Sequence, residues 1–234
     1  MSSLNTYTLL LFFIQKHMPV NSKIEELRKD YSAHTLEMEE VSPNPVHQFQ
    51  QWFEEALNAE VPEPNAMTLS TATASGVPSA RIVLLKGVTD GGFVFYTNYN
   101  SRKGQELQAN PHAALTFLWH ELQRQVRIEG SVELLAAEES ARYFQSRPKG
   151  SQIGAWASPQ STQIESRELL EEKVKQLEQE YAEADALPRP EHWGGYRVVP
   201  HRIEFWQGRS SRLHDRILYN LEKGGDWALS RLAP

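Results

Sequence analysis

The first clear pattern along the chain is helical. Apolar residues recur three and four positions apart within residues 45–58, PVHQFQQWFEEALN, so they share one face of a helix. They are Val46, Phe49, Trp52, Phe53, Ala56 and Leu57. Asn44 is a favoured N-cap residue, and Pro45 suits the first helical position because the missing N–H is not needed there. The pattern predicts an amphipathic helix that packs one face on a core.

Short segments with strand patterns follow this helix. AMTLSTATA and SARIVLLKGV flank the turn signal SGVP, and TDGG leads into FVFYTN. HAALTFLW and RQVRIEGSVEL come next, and the apolar residues of the latter alternate onto one face. Five β segments with short connections favour an antiparallel sheet or barrel over a doubly wound fold.

The second half of the chain adds helices and more strands. Helices are predicted at about 138–147 and across 165–184, where many charged residues indicate a solvated face. Strand patterns return in YRVVPHRIEFWQG, RILYNLE and WALSRL, the last two around the turn KGGD. The predicted fold class is mainly β, an antiparallel β-barrel core with flanking helices, in a single domain over residues 24–234.

Residues 1–23 precede this domain and are predicted to form a flexible tail. The apolar run TLLLFFI, residues 8–14, is too short to span a bilayer and lacks the flanking features of a secretory signal. The polar segment that follows opens with Met18, which we take as a hypothetical natural start. The intact mass of the protein from its native host would test that hypothesis.

Composition narrows the class of ligand. The 234 residues carry a formal net charge of −6, which argues against a general binder of nucleic acid or membrane surfaces. A local basic cluster in such a chain is better suited to a small anionic ligand. The absence of cysteine excludes disulfides and cysteine nucleophiles, and it is compatible with a reducing compartment. The histidines are scattered, so we expect no metal site.

Basic residues concentrate in WQGRSSRLHDR, residues 206–216, where Asp215 is the only acid. They are Arg209, Arg212, His214 and Arg216. If residues 212–216 are extended, the last three project from one face at intervals of roughly 7 Å, which suits an elongated anionic ligand. The alternative is a solvated edge strand with surface salt bridges.

A second basic cluster, NSRKGQEL, covers residues 100–107. Ser101 is a candidate N-cap, which places Arg102 and Lys103 in the first turn of a helix. Cations there oppose the helix macrodipole, but a phosphate bound at the same terminus would reverse the sign of the effect. The alternative is two exposed side chains that point into water.

The segment RIVLLK, residues 81–86, has a cation at each end. Arg81 and Lys86 are an odd number of positions apart, so a regular strand would send them to opposite faces. The apolar residues between them predict a strand buried on both sides. Buried cations usually have partners, and the alternative is two side chains that snorkel to solvent.

A fourth cluster lies in RYFQSRPKGSQIGAW, residues 142–156. Tyr143 and Arg147 are four positions apart, hence on one face of a helix that Pro148 ends. A Gly-containing loop is then predicted to present Ser151. These side chains together would form a phosphate clamp, although a simple capped helix end fits them as well.

All four clusters occur together, in the same order, in one known family. The segments RIVLLK, YTNYNSRKG, RQVRIEG, YFQSRPKGSQIGAW, SPQS, WGGYRV, IEFWQG and RLHDR resemble the FMN-dependent pyridoxine/pyridoxamine 5′-phosphate oxidases. The resemblance implies a homodimeric, FMN-binding split β-barrel in the cytoplasm, with a C-terminal dimerisation and substrate region at about 190–234. It also implies oxidation of pyridoxine or pyridoxamine 5′-phosphate to pyridoxal 5′-phosphate by FMN and dioxygen, with release of hydrogen peroxide, and of ammonia from the amine.

The resemblance assigns roles to individual residues. The FMN contacts would be Arg81, Ile82, Val83, Leu84, Leu85, Lys86, Tyr96, Thr97, Arg102, Lys103, Gln125, Gln160, Ser161, Trp206 and Arg216. The substrate contacts would be Arg28, Lys29, Asp30, Tyr31, Lys86, Tyr143, Arg147, Ser151, Arg212, Leu213 and His214. Arg212 and His214 would be catalytic and orient the pyridine ring, with His214 as a candidate proton acceptor. Residues 28–31, RKDY, would form a lid, although Asp30 stands where the family more often has Glu.

Two other functions compete with this one. The first is another split-barrel flavoprotein, such as a flavin reductase or a pigment-pathway oxidase, and the complete set of substrate motifs argues against it. The second is a non-catalytic carrier of pyridoxal phosphate, and the presence of every expected flavin contact argues against that. Which of the two substrates is preferred stays open.

Overall fold

A single antiparallel sheet of nine strands dominates the part of the chain that the computed structural model describes, namely residues 24, 27, 29–89 and 91–234. The strands are β1 (Ala66–Ala72), β2 (Pro78–Leu84), β3 (Gly87–Thr89), β4 (Gly92–Asn98), β5 (His112–Trp119), β6 (Arg124–Leu134), β7 (Trp193–Gln207), β8 (Asp215–Leu221) and β9 (Trp227–Arg231). The predicted mainly-β class is confirmed. The predicted tail and the Met18 hypothesis concern residues outside the described part.

Strand β7 organises the sheet because it is long enough to pair with two strands along one of its edges. Its 15 residues pair with β4 in the first half and with β8 in the second half, while β6 runs along the opposite edge. The strand order is β2-β1-β5-β6-β7-β4-β3, and β8 and β9 continue the sheet beside the end of β7. Strands β8 and β9 pair with each other and form the predicted hairpin.

Helix α1 (Pro45–Asn58) has the predicted bounds and covers the core. The Asn44 side chain accepts a hydrogen bond from the backbone N–H of Val46 at 2.8 Å, which confirms the predicted cap. The buried ring of Phe49 packs against aromatic residues of β4 and β5, with ring centroids 4.9 and 5.0 Å away. Leu57 was predicted on the apolar face, but it is 53% exposed, whereas Ala56 beside it is buried.

Four further helices flank the sheet in the described ranges: α2 (Arg102–Ala109), α3 (Ala137–Ser146), α4 (Lys149–Ala157) and α5 (Arg167–Glu180). The sequence predicted α3 and α5, but it predicted a loop where α4 lies. Two glycines lower the helix propensity of that stretch, and burial of Ile153 and Ala157 in a second apolar cluster overrides it. None of these helices is long and apolar enough to cross a membrane.

One face of the sheet exposes large apolar side chains. On β2, Ile82 and Leu84 are 66% and 36% exposed, and the residues between and before them are half-buried. Leu118 of β5 is 50% exposed, and the strand registers place it on the same face. We call the face that carries these three residues the outer face. Exposed apolar patches of this kind mark contact surfaces.

Candidate active site

A cleft of about 490 Å³ opens where β2 and β4 meet helices α2, α3 and α4. It brings together predicted residues from separate motifs, namely Arg81, Ile82, Val83, Leu84, Lys86, Tyr96, Thr97, Lys103, Tyr143, Arg147, Ser151 and Gln160. It also includes residues that the motifs did not assign, Asn98, Gly154, Ala155, Ser158 and Trp193. Trp193 opens the segment WGGYRV, but the motif by itself did not say which side chain faces a cleft.

Lys103 places a buried cation at the helical end of the cleft. Ser101 caps helix α2 as predicted, since its hydroxyl accepts a backbone N–H of the first turn. The Lys103 Nζ donates to Gln160 Oε1 at 3.0 Å and to Thr97 Oγ1 at 3.3 Å. No acidic side chain in the described ranges forms an ion pair with it. Burial and the positive charge of Arg81 lower the pKa of Lys103.

A buried glutamate supports this end of the cleft. Glu106 Oε2 accepts hydrogen bonds from the Thr71 and Ser79 hydroxyls at 2.5 and 2.6 Å and from Arg81 at 3.3 Å. Its Oε1 accepts from Arg102 Nε at 2.8 Å. Burial alone would raise the pKa of Glu106, but the hydrogen bonds from Ser79, Thr71 and Arg102 outweigh it and lower the pKa to about 2. The sequence did not indicate this residue, because a single Glu in a polar helix resembles a solvated one.

The prediction that Arg81 and Lys86 occupy opposite faces of a doubly buried strand is wrong. Strand β2 ends at Leu84, so the alternation rule does not extend to Lys86. Moreover, β2 is an edge strand whose residues alternate between exposed and half-buried. Both cations line the same cleft.

Arg147 forms a second cationic group, supported by aromatic rings. Its guanidinium carbon lies 4.6 Å from the ring centre of Trp193, and the rings of Tyr96 and Tyr143 stack at 3.9 Å. The Arg147 Nη1 is buried without a hydrogen-bond partner among the described residues, and burial lowers the pKa of this guanidinium. A donor left in that state costs about 1–3 kcal/mol unless a ligand satisfies it. Ser151 faces the same cleft from helix α4 rather than from the predicted loop.

Three other predicted FMN contacts lie elsewhere, in a row across the sheet. Gln125, Trp206 and Arg216 stand directly opposite one another on β6, β7 and β8, and we call them the outer-face row. Gln125 is opposite Leu118, so the row belongs to the outer face. Glu204 holds Arg216 through two hydrogen bonds of 2.9 and 3.0 Å. None of the three lines the cleft of the same chain.

The prediction that residues 212–216 are extended is wrong for its first part. The chain makes a 3-10 turn at Ser210–Arg212, in which Arg212 has a φ of 63°, and β8 begins only at Asp215. Asp30 stabilises this turn by accepting hydrogen bonds from its two serines at 2.9 and 3.3 Å. The predicted row of basic side chains on one strand face therefore does not form.

His214 is held in a defined tautomer. Its ring lies between Trp206 and Tyr31, with centroids 4.6 and 6.0 Å away. Its Nδ1 accepts the backbone N–H of Arg209 at 3.1 Å, so a neutral ring carries its proton on Nε2. Burial and the charge of Arg212 lower the pKa of His214, which favours that neutral form. In that form the free ring nitrogen is a donor, and the role of proton acceptor stays a prediction.

The predicted lid segment meets this loop at a second cavity of about 380 Å³. Lys29, Asp30, Tyr31, Arg212 and His214 line it, and it shares no lining residue with the cleft. Leu213 is exposed beside it, and Arg28 lies outside the described residues. Besides the outer-face row, three more predicted FMN contacts line neither cavity, namely Leu85, Arg102 and Ser161. Leu85 instead belongs to the core.

Comparisons with known proteins show which family the chain resembles. Residues 53–181 match the family model described as Pyridoxamine 5′-phosphate oxidase, and residues 193–234 match the one described as Pyridoxine 5′-phosphate oxidase C-terminal dimerisation region. A curated relative from Salinibacter ruber, named Pyridoxine/pyridoxamine 5′-phosphate oxidase, is 58% identical over 214 residues, which covers 91% of this chain and 100% of the relative.

Two solved structures are similar in fold. PhzG from Burkholderia lata, in complex with tetrahydrophenazine-1-carboxylic acid, has a TM-score of 0.81 and 33% identity, covering 88% of this chain and 100% of that one. An FMN-binding protein from Nostoc punctiforme, related to pyridoxamine 5′-phosphate oxidase, has a TM-score of 0.64 and covers 80% of this chain and 97% of that one. At 16% identity it shows the fold alone. From the fold, the cleft and these matches together, the chain belongs to the pyridoxamine 5′-phosphate oxidase family.

Proposed function

We propose that the protein oxidises pyridoxine 5′-phosphate and pyridoxamine 5′-phosphate to pyridoxal 5′-phosphate, with FMN as its cofactor. One observation carries the proposal. The cleft contains two cationic groups, around Lys103 and around Arg147, and in the described ranges neither of these two residues forms an ion pair with a carboxylate. Two phosphorylated ligands would supply the missing negative charge to both groups.

The donors around Lys103 fit the phosphate of FMN. Arg81 and Lys103 line the cleft together, and Lys103 sits in the first turn of helix α2, where backbone N–H groups favour an anion. A phosphate there removes the conflict between the two first-turn cations and the helix dipole. The volume of about 490 Å³ is also that of a small-molecule site. When bound, FMN supplies the two-electron acceptor of the reaction.

The group around Arg147 is proposed to bind the substrate phosphate. Arg147 offers its unpaired Nη1, and the ring of Trp193 holds the guanidinium in place. Tyr143, Ser151 and Lys86 add donors around the same cleft. Binding the substrate by its phosphate restricts where the reacting carbon can lie, and such orientation contributes strongly to rate.

The working unit is proposed to be a homodimer formed through the outer face. The outer-face row and the loop that carries Arg212 and His214 line no part of the cleft in the same chain. Ile82 and Leu84, by contrast, line the cleft and are also exposed on the outer face. In a two-fold dimer, each chain would therefore present its row and loop to the cleft of the other. The match of residues 193–234 to a dimerisation region supports this arrangement.

Within such a site, Arg212 and His214 would orient the pyridine ring. Because its Nδ1 is occupied, His214 would donate from Nε2 to an acceptor on the ring, and Arg212 would add positive charge beside it. Dioxygen is the proposed final electron acceptor, which gives hydrogen peroxide, and the amine substrate additionally takes up water and releases ammonia. The cytoplasm is the proposed location, and a chain without cysteine is compatible with that reducing compartment.

A direct assay tests the proposed function. Purified protein is loaded with FMN, freed of excess, and mixed in air with pyridoxamine 5′-phosphate or pyridoxine 5′-phosphate. We expect a flavin spectrum and the release of pyridoxal 5′-phosphate and peroxide in equal amounts. A flavin-loaded protein that is inert towards both vitamers would overturn the oxidase function, and a protein that cannot retain FMN would overturn the cofactor site.

The similarity to PhzG suggests one alternative substrate class to exclude. Its TM-score of 0.81 shows a closely related fold, but its 33% identity is well below the 58% of the curated oxidase. Tetrahydrophenazine-1-carboxylic acid, offered under the same conditions, is expected to give no turnover. Faster oxidation of this compound than of either vitamer would reassign the substrate.

A further inference from the structure

We propose that Glu106 is a positioning residue for the cofactor phosphate, because it fixes the guanidinium groups of Arg81 and Arg102 beside the first turn of helix α2. The inference rests on the proposed function, since it assumes that FMN places its phosphate at this end of the cleft. Glu106 does not line the cleft, so it would act only through its arginine partners.

The carboxylate of Glu106 joins three elements. Its Oε2 accepts hydrogen bonds from the hydroxyls of Thr71 on β1 and Ser79 on β2 and from Arg81. Its Oε1 accepts a hydrogen bond from Arg102 on helix α2. The Glu106 side chain is only 5% exposed, so water has little access to its two oxygens. One carboxylate therefore sets the position of the helix terminus relative to the edge strand of the cleft.

Arg81 is fixed most tightly by this network. Its Nη1 donates to Thr71 Oγ1 at 2.6 Å and to the Leu69 carbonyl at 3.2 Å. Its Nη2 donates to Ser79 Oγ at 2.5 Å as well as to Glu106. Two of the three nitrogens are thus committed to one orientation, which pre-organises the guanidinium that lines the cleft.

Charge balance points to the same role. Arg81, Arg102 and Lys103 contribute three positive charges, and Glu106 removes one, which leaves two. A phosphomonoester carries about −1.5 to −2 at pH 7, so the balance matches one phosphate. Arg81 lowers the pKa of Lys103 and Glu106 raises it, so the carboxylate also helps to keep that ammonium charged.

Glutamine cannot replace Glu106 in this geometry. Both carboxylate oxygens accept from an arginine, one from Arg81 and the other from Arg102. An amide has only one oxygen, so either orientation places its NH₂ group against an arginine donor. Glu106→Gln therefore loosens one of the two guanidinium groups while it keeps the size of the side chain, and Arg81 would retain its bonds to Thr71, Ser79 and the Leu69 carbonyl.

The test compares FMN with riboflavin, which has the same ring system and no phosphate. Dissociation constants for both are measured by fluorescence quenching on the wild type, Glu106→Gln, and the control Glu171→Gln. The control suits the comparison because Arg167 and Glu171 form a helical i,i+4 pair at 2.7 Å, like the 2.8 Å pair of Arg102 and Glu106, but on an exposed face.

We expect Glu106→Gln to weaken FMN binding about tenfold or more, the value of one charge-assisted hydrogen bond, and to leave riboflavin binding within about twofold. Glu171→Gln should change neither constant. A purely structural role would weaken both flavins equally, and that result, or unchanged FMN binding, would overturn the proposal.

A second variant keeps the test open if Glu106→Gln does not fold. Ser79→Ala removes one hydrogen bond to Glu106 and one from Arg81 at a half-buried strand position, and it should weaken FMN binding selectively but less strongly. Equal effects on both flavins, or none, would again contradict the role of Glu106. If the wild type itself does not bind FMN, the proposed function is wrong as well. If the wild type binds FMN and the variants bind it equally tightly, only the inference about Glu106 is wrong.

Discussion

The proposed dimer can be tested by restoring one site from two defective chains. Arg147 lines the cleft, and Arg212 lines the separate cavity that shares no residue with it. If each working site combines the cleft of one chain with the loop of the other, Arg147→Ala and Arg212→Ala damage opposite halves of a site. A mixed dimer then has one site with both substitutions and one site with neither.

The size of each effect follows from the hydrogen bond to the substrate that each substitution removes. Removing one charge-assisted hydrogen bond costs about 1.5–3 kcal/mol, or roughly 10- to 150-fold in kcat/KM. Each variant dimer alone should therefore keep about a tenth of the wild-type kcat/KM or less. The mixed dimer should recover about half of the wild-type turnover, because one of its two sites is intact.

The assay uses two affinity tags, one on each variant, so that mixed dimers can be purified after co-expression and compared with either variant alone. A matched control pairs Arg147→Ala with Tyr143→Phe. Both substitutions lie in the cleft, so every site of that mixed dimer keeps one of them and no recovery is expected. The shared site would be refuted if purified Arg147/Arg212 mixed dimers turned over no faster than the dimers of either variant alone. An equal gain of turnover in the control mixed dimer would refute it as well.

Three further outcomes are expected. Arg212→Ala should lower turnover at least about tenfold and leave FMN affinity nearly unchanged, since its cavity is separate from the cleft; equal losses in a flavin titration would contradict this division. The pKa of Lys103 is lowered, and its charged form favours phosphate, so FMN affinity should fall as pH rises through a value below the ordinary lysine range. Lys103→Arg should remove that step, and a wild-type affinity that does not vary up to about pH 10 would count against it. Phe49→Ala should lower the free energy of unfolding, measured in urea, by about 3–5 kcal/mol, because the Phe49 side chain is buried. Leu57→Ala, at an exposed position, should lower it by less than about 0.5 kcal/mol. Similar losses for the two variants would show that the helix does not pack as described.

Local patterns were sufficient for most of the elements. The Asn44 cap and the final hairpin depend on interactions within a few residues, and the five β segments could be recognised from local alternation and turn signals; the structure confirms all of them. Helix α4 was missed because its two glycines argue against a helix, and only packing in the second apolar cluster compensates. The turn at Ser210–Arg212 was missed because Asp30, 180 positions away from Ser210 in the chain, holds it.

The family, the mainly-β class and the basic motifs suited to phosphorylated ligands could all be predicted from the amino-acid sequence. The folded chain was needed to show that Arg81 and Lys86 share one cleft and that Glu106 and Trp193 support its cations. It also showed that the remaining predicted contacts lie apart, on the outer face and its adjoining loop. The physical reason is that burial, charge pairing and the facing of side chains depend on contacts between distant segments, whereas periodicity and motifs report only on neighbours along the chain.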